Sequence, residues 1–140
     1  MYENYTRQAL PQKGYRELLG SALCVFISNN AIVIENILRT DSQNYDWYEL
    51  IDRTSGQLKK PIKRTITEKS GEEIANLFKK IVDKRNRIIH SFQITNEDDE
   101  QILATKDRNN KQFHITEEYL LTFIEDNEQL SGLLHKFRGS

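Results

Sequence analysis

The sequence predicts an all-α fold: an up-and-down helical bundle forming a single domain over residues 1–140. A short β-hairpin, at about residues 100–115, is inserted before the last helix. Three observations carry this reading. Three long stretches repeat apolar residues at three- and four-residue spacing, the period of a helix with one face in a core. Only 2 prolines and 6 glycines in 140 residues leave those stretches uninterrupted. With 37% hydrophobic and 29% charged residues, the composition is that of a soluble globular chain rather than a fibrous or disordered one.

The first helix is expected over residues 13–39. Leu18, Leu19, Ala22, Leu23, Val25, Phe26, Ile32, Val33, Ile37 and Leu38 cover much of its circumference, which predicts a central, well-buried helix. Ser28, Asn29, Asn30 and Glu35 interrupt the apolar surface, and Cys24 lies within it as a small core side chain. Residues 45–51 read as a short amphipathic helix anchored by Trp47, Leu50 and Ile51. Pro61 is expected to stop whatever precedes it, leaving residues 59–67 as a basic connection.

Ser70 and Glu73 have the spacing of a capping box, in which each side chain satisfies a free backbone N–H at a helix start. From there Ile74, Leu77, Phe78, Ile81, Ile88 and Phe92 form a narrow apolar seam, and Asn96 with the acidic residues after it ends the pattern. Two short runs, 101–106 and 111–115, flank Asp-Arg-Asn-Asn and predict the hairpin. The last helix starts at Thr116 as N-cap, with Ile115 and Leu120 placed for a hydrophobic staple. Tyr119, Leu120, Phe123, Ile124, Leu130, Leu133, Leu134 and Phe137 give it a buried face.

Several function classes fall away. One cysteine permits no internal disulfide and no Cys-rich zinc site. No paired His or Cys spacing suggests a metal, and no Gly-rich phosphate loop or Ser or Cys nucleophile signature is present. No apolar run is expected to span a bilayer, and the N-terminus lacks the apolar core of a secretory signal, so a cytoplasmic location is expected. A net charge of −1 argues against coating nucleic acid by bulk electrostatics. Charge is nonetheless segregated. Lys59, Lys60, Lys63 and Arg64 form one basic cluster, and Lys79, Lys80, Lys84, Arg85 and Arg87 a second. Trp47, Tyr45 and Tyr48 suit either core packing or stacking on RNA bases.

The segment Asp83-Lys84-Arg85-Asn86-Arg87-Ile88-Ile89-His90-Ser91-Phe92 carries the chemistry. On a helix, Arg85 falls on the stripe of Ile81 and Ile88, where an aliphatic side chain is expected. A guanidinium there is costly unless a carboxylate such as Glu35 or Glu125, or a bound phosphate, meets it. Asn86 and His90, four apart, share a face. A neutral imidazole can take the proton of a ribose 2′-hydroxyl, and a guanidinium can donate to the adjacent phosphate oxygens as charge builds there.

Arg85-Asn86-x-x-x-His90 resembles the R-x4-6-H motif of the HEPN superfamily, whose members are all-helical and often carry a polar residue after the Arg. The resemblance implies a metal-independent endoribonuclease of the toxin or antiviral-defence type, working without a cofactor. It implies a homodimer whose facing motifs build one composite site, with Arg85 and His90 catalytic and Asn86 supporting them. A branch of that superfamily has a modifiable tyrosine where this chain has Phe92, so that control is not expected here. Lys59, Lys60, Lys63, Arg64, Lys84 and Arg87 are then expected to guide the RNA, with an antitoxin or regulatory protein as a further partner. The alternative is a non-catalytic helical module for dimerisation, or for partner or nucleotide binding.

Overall fold

The computed structural model describes residues 1–139. Three long helices are present: α1 (Lys13–Thr40), α5 (Glu73–Ile89) and α6 (Glu117–Arg138). Between the first two lie α2 (Trp47–Asp52), a 3₁₀ turn (Ser55–Leu58), α3 (Lys59–Ile62), a π-turn (Lys63–Thr67) and α4 (Glu68–Ser70). Strands β1 (Phe92–Thr95), β2 (Gln101–Lys106) and β3 (Gln112–Ile115) separate α5 from α6. The fold is mostly helical, but the expectation of an all-α chain with a hairpin is corrected to a bundle carrying a three-stranded antiparallel sheet, order β1-β2-β3.

Side-chain pairs fix the helix directions. Tyr15 bonds Ile115, Asn29 bonds Asn127, and Glu35 pairs with Arg138, so α1 and α6 run parallel along their whole length. Helix α5 runs the opposite way, so it ends beside the start of α1 and α6 sets out from there. The sheet fills that end of the bundle, where the Leu103 N–H donates to the Tyr15 hydroxyl and Thr105 Oγ1 to His90 O.

One aromatic side chain from each long helix meets at the centre. The Phe26 ring stacks on Phe78, with centroids 6.5 Å apart, and on Phe123 at 6.2 Å. Around them Ala22, Val33, Ile34, Ile37, Ile81, Leu120, Leu130 and Leu134 are fully buried. Two polar links hold the helices in register. Asn29 Nδ2 donates to the backbone and side-chain oxygens of Asn127, whose own Nδ2 donates to Phe123 O. Lys84 Nζ lies 2.7 Å from Asp126 Oδ2, clamping α5 to α6.

Several local expectations change. Cys24 is exposed, because the covered side of α1 is the face of Ala22, Phe26, Asn29 and Val33, and Cys24 and Ile27 point away from it. By length and composition α1 is apolar enough to cross a membrane, contrary to the sequence expectation, yet its buried face is where α5 and α6 pack. In α2 only Leu50 anchors; Trp47 and Ile51 are exposed. Pro61 stops nothing. It lies in the first turn of α3, where a missing N–H costs no hydrogen bond. Residues 59–67 are helical, with Ile62 and Ile66 in the core.

Ser70 is no N-cap. Its hydroxyl donates back to Ile66 O at the end of α4, and Gly71 at φ +88° turns the chain before α5 begins. The seam on α5 ends at Ile88. Phe92 is exposed on β1, and residues 96–100 form a turn in which Asn96 Oδ1 accepts from the N–H groups of Asp98 and Glu100. Thr116 caps α6 as expected, accepting from Tyr119 N–H, and Ile115 and Leu120 are both buried.

The Tyr15 hydroxyl donates to Ile115 O at 2.6 Å while accepting from Leu103, so it ties α1 to both strands of the β2–β3 hairpin at its open end. Tyr15→Phe should lower unfolding free energy by about 1–3 kcal/mol in urea titrations, the range for a buried donor and acceptor losing their partner. Burial also pushes the Tyr15 phenol above its ordinary value, against the Leu103 N–H, which pulls it down. The unfolded phenol then ionises first as pH rises past about 10, and stability falls by about 1.4 kcal/mol per pH unit until the native group titrates. Tyr15→Phe should flatten that alkaline slope. Lys84→Ala, which leaves the nearly buried Asp126 with only Lys80 at 3.5 Å, should cost about 1–3 kcal/mol in the same titration.

Candidate functional site

Helix α5 carries the motif, and its seam explains where each side chain goes. Arg85 occupies the core stripe with Phe78, Ile81 and Ile88, and it is half-buried. Its Cζ sits 5.5 Å from the centroid of the Phe26 ring, so the guanidinium covers the aromatic stack of the bundle. One guanidinium nitrogen donates to Asn86 Oδ1 at 2.8 Å. Among the described residues no carboxylate approaches Arg85 within 4.0 Å. Glu35, a candidate partner from the sequence, is taken by Arg39 and Arg138.

His90 is the C-cap of α5, at φ −97° and ψ 45°. Its backbone N–H continues the helix to Asn86 O, its carbonyl accepts from Thr105 Oγ1, and its imidazole is exposed. Asn86 and His90 are thus joined through the backbone. No hydrogen bond joins the Arg85 and His90 side chains among the described residues.

Two depressions border α5. The first, about 340 Å³, lies between α5 and the segment from Ser55 to Thr67. Its floor is apolar (Ile62, Phe78, Val82) and its walls carry Lys59, Lys63, Lys79, Asp83 and Asn86. The second, about 600 Å³, lies between the end of α5 and the β2–β3 turn, and is lined by Asp83, Asn86, Arg87, Lys106, Arg108 and Phe113 among others. Asp83 and Asn86 border both, so the two lie side by side as a track along α5. Lysines and arginines outnumber carboxylates along it, and Asp83 is already engaged by Lys79 at 3.1 Å and Arg108 at 3.9 Å. The π-turn forms part of one wall; such turns are frequent at functional sites. Its last residue, Thr67, has a buried hydroxyl without a hydrogen-bond partner.

The residues expected to guide RNA divide into three groups. Lys59, Lys63 and Arg87 line the track, although Arg87 also donates to Lys106 O at 2.8 Å. Lys60 and Arg64 are exposed outside it, without an ion pair among the described residues. Lys84 faces the other way and is bound to Asp126. Neither Arg85 nor His90 lines the track; Asn86 is the link, its side chain on the wall and its oxygen on the Arg85 guanidinium. Lys79, part of the second basic cluster in the sequence but not among the residues expected to guide RNA, also lines the track, and Lys106 and Arg108 join it because the fold brings the β2–β3 turn beside α5. Tyr48 is 77% and Trp47 38% exposed, so core packing does not account for them, while Tyr45 packs against the core. Among the described residues no group of three His, Cys, Asp or Glu side chains is placed to hold a metal ion.

The chain shows no match to a family model, to a curated protein or to a solved structure.

Proposed function

We propose that the protein is a metal-independent endoribonuclease, acting as a homodimer on single-stranded or looped RNA. The observation that carries this reading is the Arg85 guanidinium. It is half-buried on a core seam, held by the Phe26 ring and by Asn86, and no carboxylate of the described residues neutralises it. A cation kept in that state is ready for an external phosphate, since only one of its five N–H donors is engaged by Asn86. His90, five residues on and open to solvent, is the imidazole that on this reading meets the same phosphate across the dimer.

In the proposed reaction the His90 imidazole takes the proton of a ribose 2′-hydroxyl, and that oxygen attacks the adjacent phosphorus. The bond from phosphorus to the 5′-oxygen breaks, and the leaving oxygen takes a proton from an imidazolium. The products are a 2′,3′-cyclic phosphate and a 5′-hydroxyl. Arg85 stabilises the charge that develops on the non-bridging oxygens, and Asn86 holds Arg85 in place. A second protomer is part of this reading, because among the described residues no hydrogen bond joins the Arg85 and His90 side chains of one chain. The basic track along α5, with Lys59 and Lys63 at one end and Arg108 at the other, would hold the flanking backbone. Control by an antitoxin or another regulatory protein, and a role in defence, belong to the same proposal.

A second reading has its own support. Arg85 already has an intramolecular role as cover of the aromatic stack, which suits a non-catalytic module that binds RNA or a partner along the track.

Cleavage of mixed RNA in EDTA separates the two. The native chain should yield cyclic-phosphate ends and leave DNA of the same sequence intact. His90→Ala should lose about 10²–10⁴-fold in rate, and Arg85→Lys, which keeps the charge, about 10²–10³-fold. Equal activity in all three would remove both residues from the mechanism. RNA binding without cleavage by the native chain would support the second reading.

A further inference from the structure

The basic track is not uniform along its length. Where α5 faces the segment from Ser55 to Thr67, the depression of about 340 Å³ has a floor of Ile62, Phe78 and Val82, all buried core residues. The chain reverses at Gly71, so Thr67 and Glu72 lie at one end of this depression and Ser55 and Asn86 at the other. On its wall, Lys59 and Lys63 are one turn apart, the Lys63 N–H bonding Lys59 O. Neither lysine has an ion pair among the described residues. The two carboxylates on the wall do not cancel them. Asp83 is engaged by Lys79 and Arg108, and Glu72 lies at the end away from Asn86.

An apolar floor beside two free ammonium groups suits neither a bare phosphate nor a purely apolar ligand. A phosphate over Ile62 and Val82 would lose its hydration without gaining a donor. An apolar ligand would leave both lysines unused. The combination fits a flat, largely apolar body with an anionic end.

We infer that this depression seats one unpaired base of an RNA strand, with the base on the apolar floor and a phosphate of the same nucleotide on Lys59 and Lys63. The volume lies near the lower end of the range of about 300–1,000 Å³ for small-ligand pockets, room for one base and its sugar. A base held in a duplex cannot enter, because its faces are stacked and its edge is paired. An apolar floor accepts the face of any base, so seating selects an unpaired nucleotide rather than a sequence. Asn86 borders the depression and also accepts from the Arg85 guanidinium, so the seated base lies beside the group assigned to the scissile phosphate. The inference deepens the nuclease reading and rests on it for the identity of the strand.

The test titrates the full chain in EDTA at constant ionic strength and follows the Ile62 and Val82 methyl resonances. The ligands are adenosine monophosphate, ribose 5-phosphate, adenosine, octanoate, and a short adenylate strand with 2′-O-methyl riboses, alone and paired with its complement. The monophosphate and the single strand should shift both sets of methyls, and the duplex should not. Ribose 5-phosphate, which lacks the base, should bind about tenfold or more weakly than the monophosphate. The strand should bind tighter than the monophosphate. Replacing both exposed lysines, Lys59→Gln with Lys63→Gln, should weaken the monophosphate about tenfold and leave adenosine unchanged. The inference is overturned if ribose 5-phosphate or octanoate matches the monophosphate, or if the duplex shifts the methyls as the single strand does. It is equally overturned if the strand binds no tighter than the monophosphate, if the lysine variant binds like the native chain, or if the methyls stay in place. None of these ligands can be cleaved, so the two readings fail separately. A chain that seats the strand but cuts no RNA loses only the nuclease, and one that cuts RNA with its methyls unmoved loses only the base seat.

Discussion

The stack of Phe26, Phe78 and Phe123 is the constraint from which the rest of the molecule follows. Each long helix contributes one ring, so the stack sets how closely α1, α5 and α6 approach and how each is rotated about its axis. Rotating α5 to place Phe78 in the stack brings Arg85, seven residues on, over the same centre. The charge is tolerated because the face of Phe26 attracts it, and because the position is half-exposed rather than sealed. The same rotation puts Lys84 toward α6 and Asp126, and turns Asp83 and Asn86 outward to form the wall of the track. The electrostatics of the candidate site are thus a by-product of how three phenyl rings pack.

Buried polar groups supply the register that apolar packing leaves loose. Asn29 with Asn127, and Tyr15 with Ile115 and Leu103, each have a defined set of partners, so sliding α1 against α6 by one turn would strand all of them. These bonds join residues about 100 positions apart and fix a parallel pairing of the first and last helices. The reversed run of α5 is the means to that pairing, because it ends beside the start of α1, and the small sheet links it there to the start of α6.

Much of this was legible in the sequence, and the misreadings have definite causes. Helices α1 and α6 were readable because their apolar periods are long and Thr116 is a true cap. The end of α5 was misread because Phe92 continues the spacing from Ile88, so periodicity alone cannot see the helix stop at Ile89. A signal for β1 was nonetheless present. Asn96-Glu-Asp-Asp99 and Asp107-Arg-Asn-Asn110 are the same turn chemistry, with an Asx oxygen accepting two N–H groups and a left-handed Asx at φ 60° and 62°. Reading the second as a hairpin and the first as a helix end missed the repetition. Ser70 and Glu73 satisfied a capping pattern by coincidence, since Ser-x-x-Glu also fits a helix that ends at Gly71. For the site, the seam position of Arg85 could be read directly. The partner of Lys84 and the open donors of Arg85 could not, because each depends on residues distant along the chain.

The parallel pairing of the first and last helices has a consequence during synthesis. Asn29 waits for Asn127, 98 residues later, before its polar contacts can close. At ribosomal speeds of about 5–20 residues per second, α1 spends about 5–20 seconds without its lifelong neighbour. During that interval only the middle of the chain can shield its apolar flank, α5 through Phe78 on Phe26 and the segment before it through Leu50, Ile62 and Ile66, and only after these residues have emerged. The nascent polypeptide therefore passes through a stage in which its most water-averse segment is half covered, and holdase chaperones would find it there.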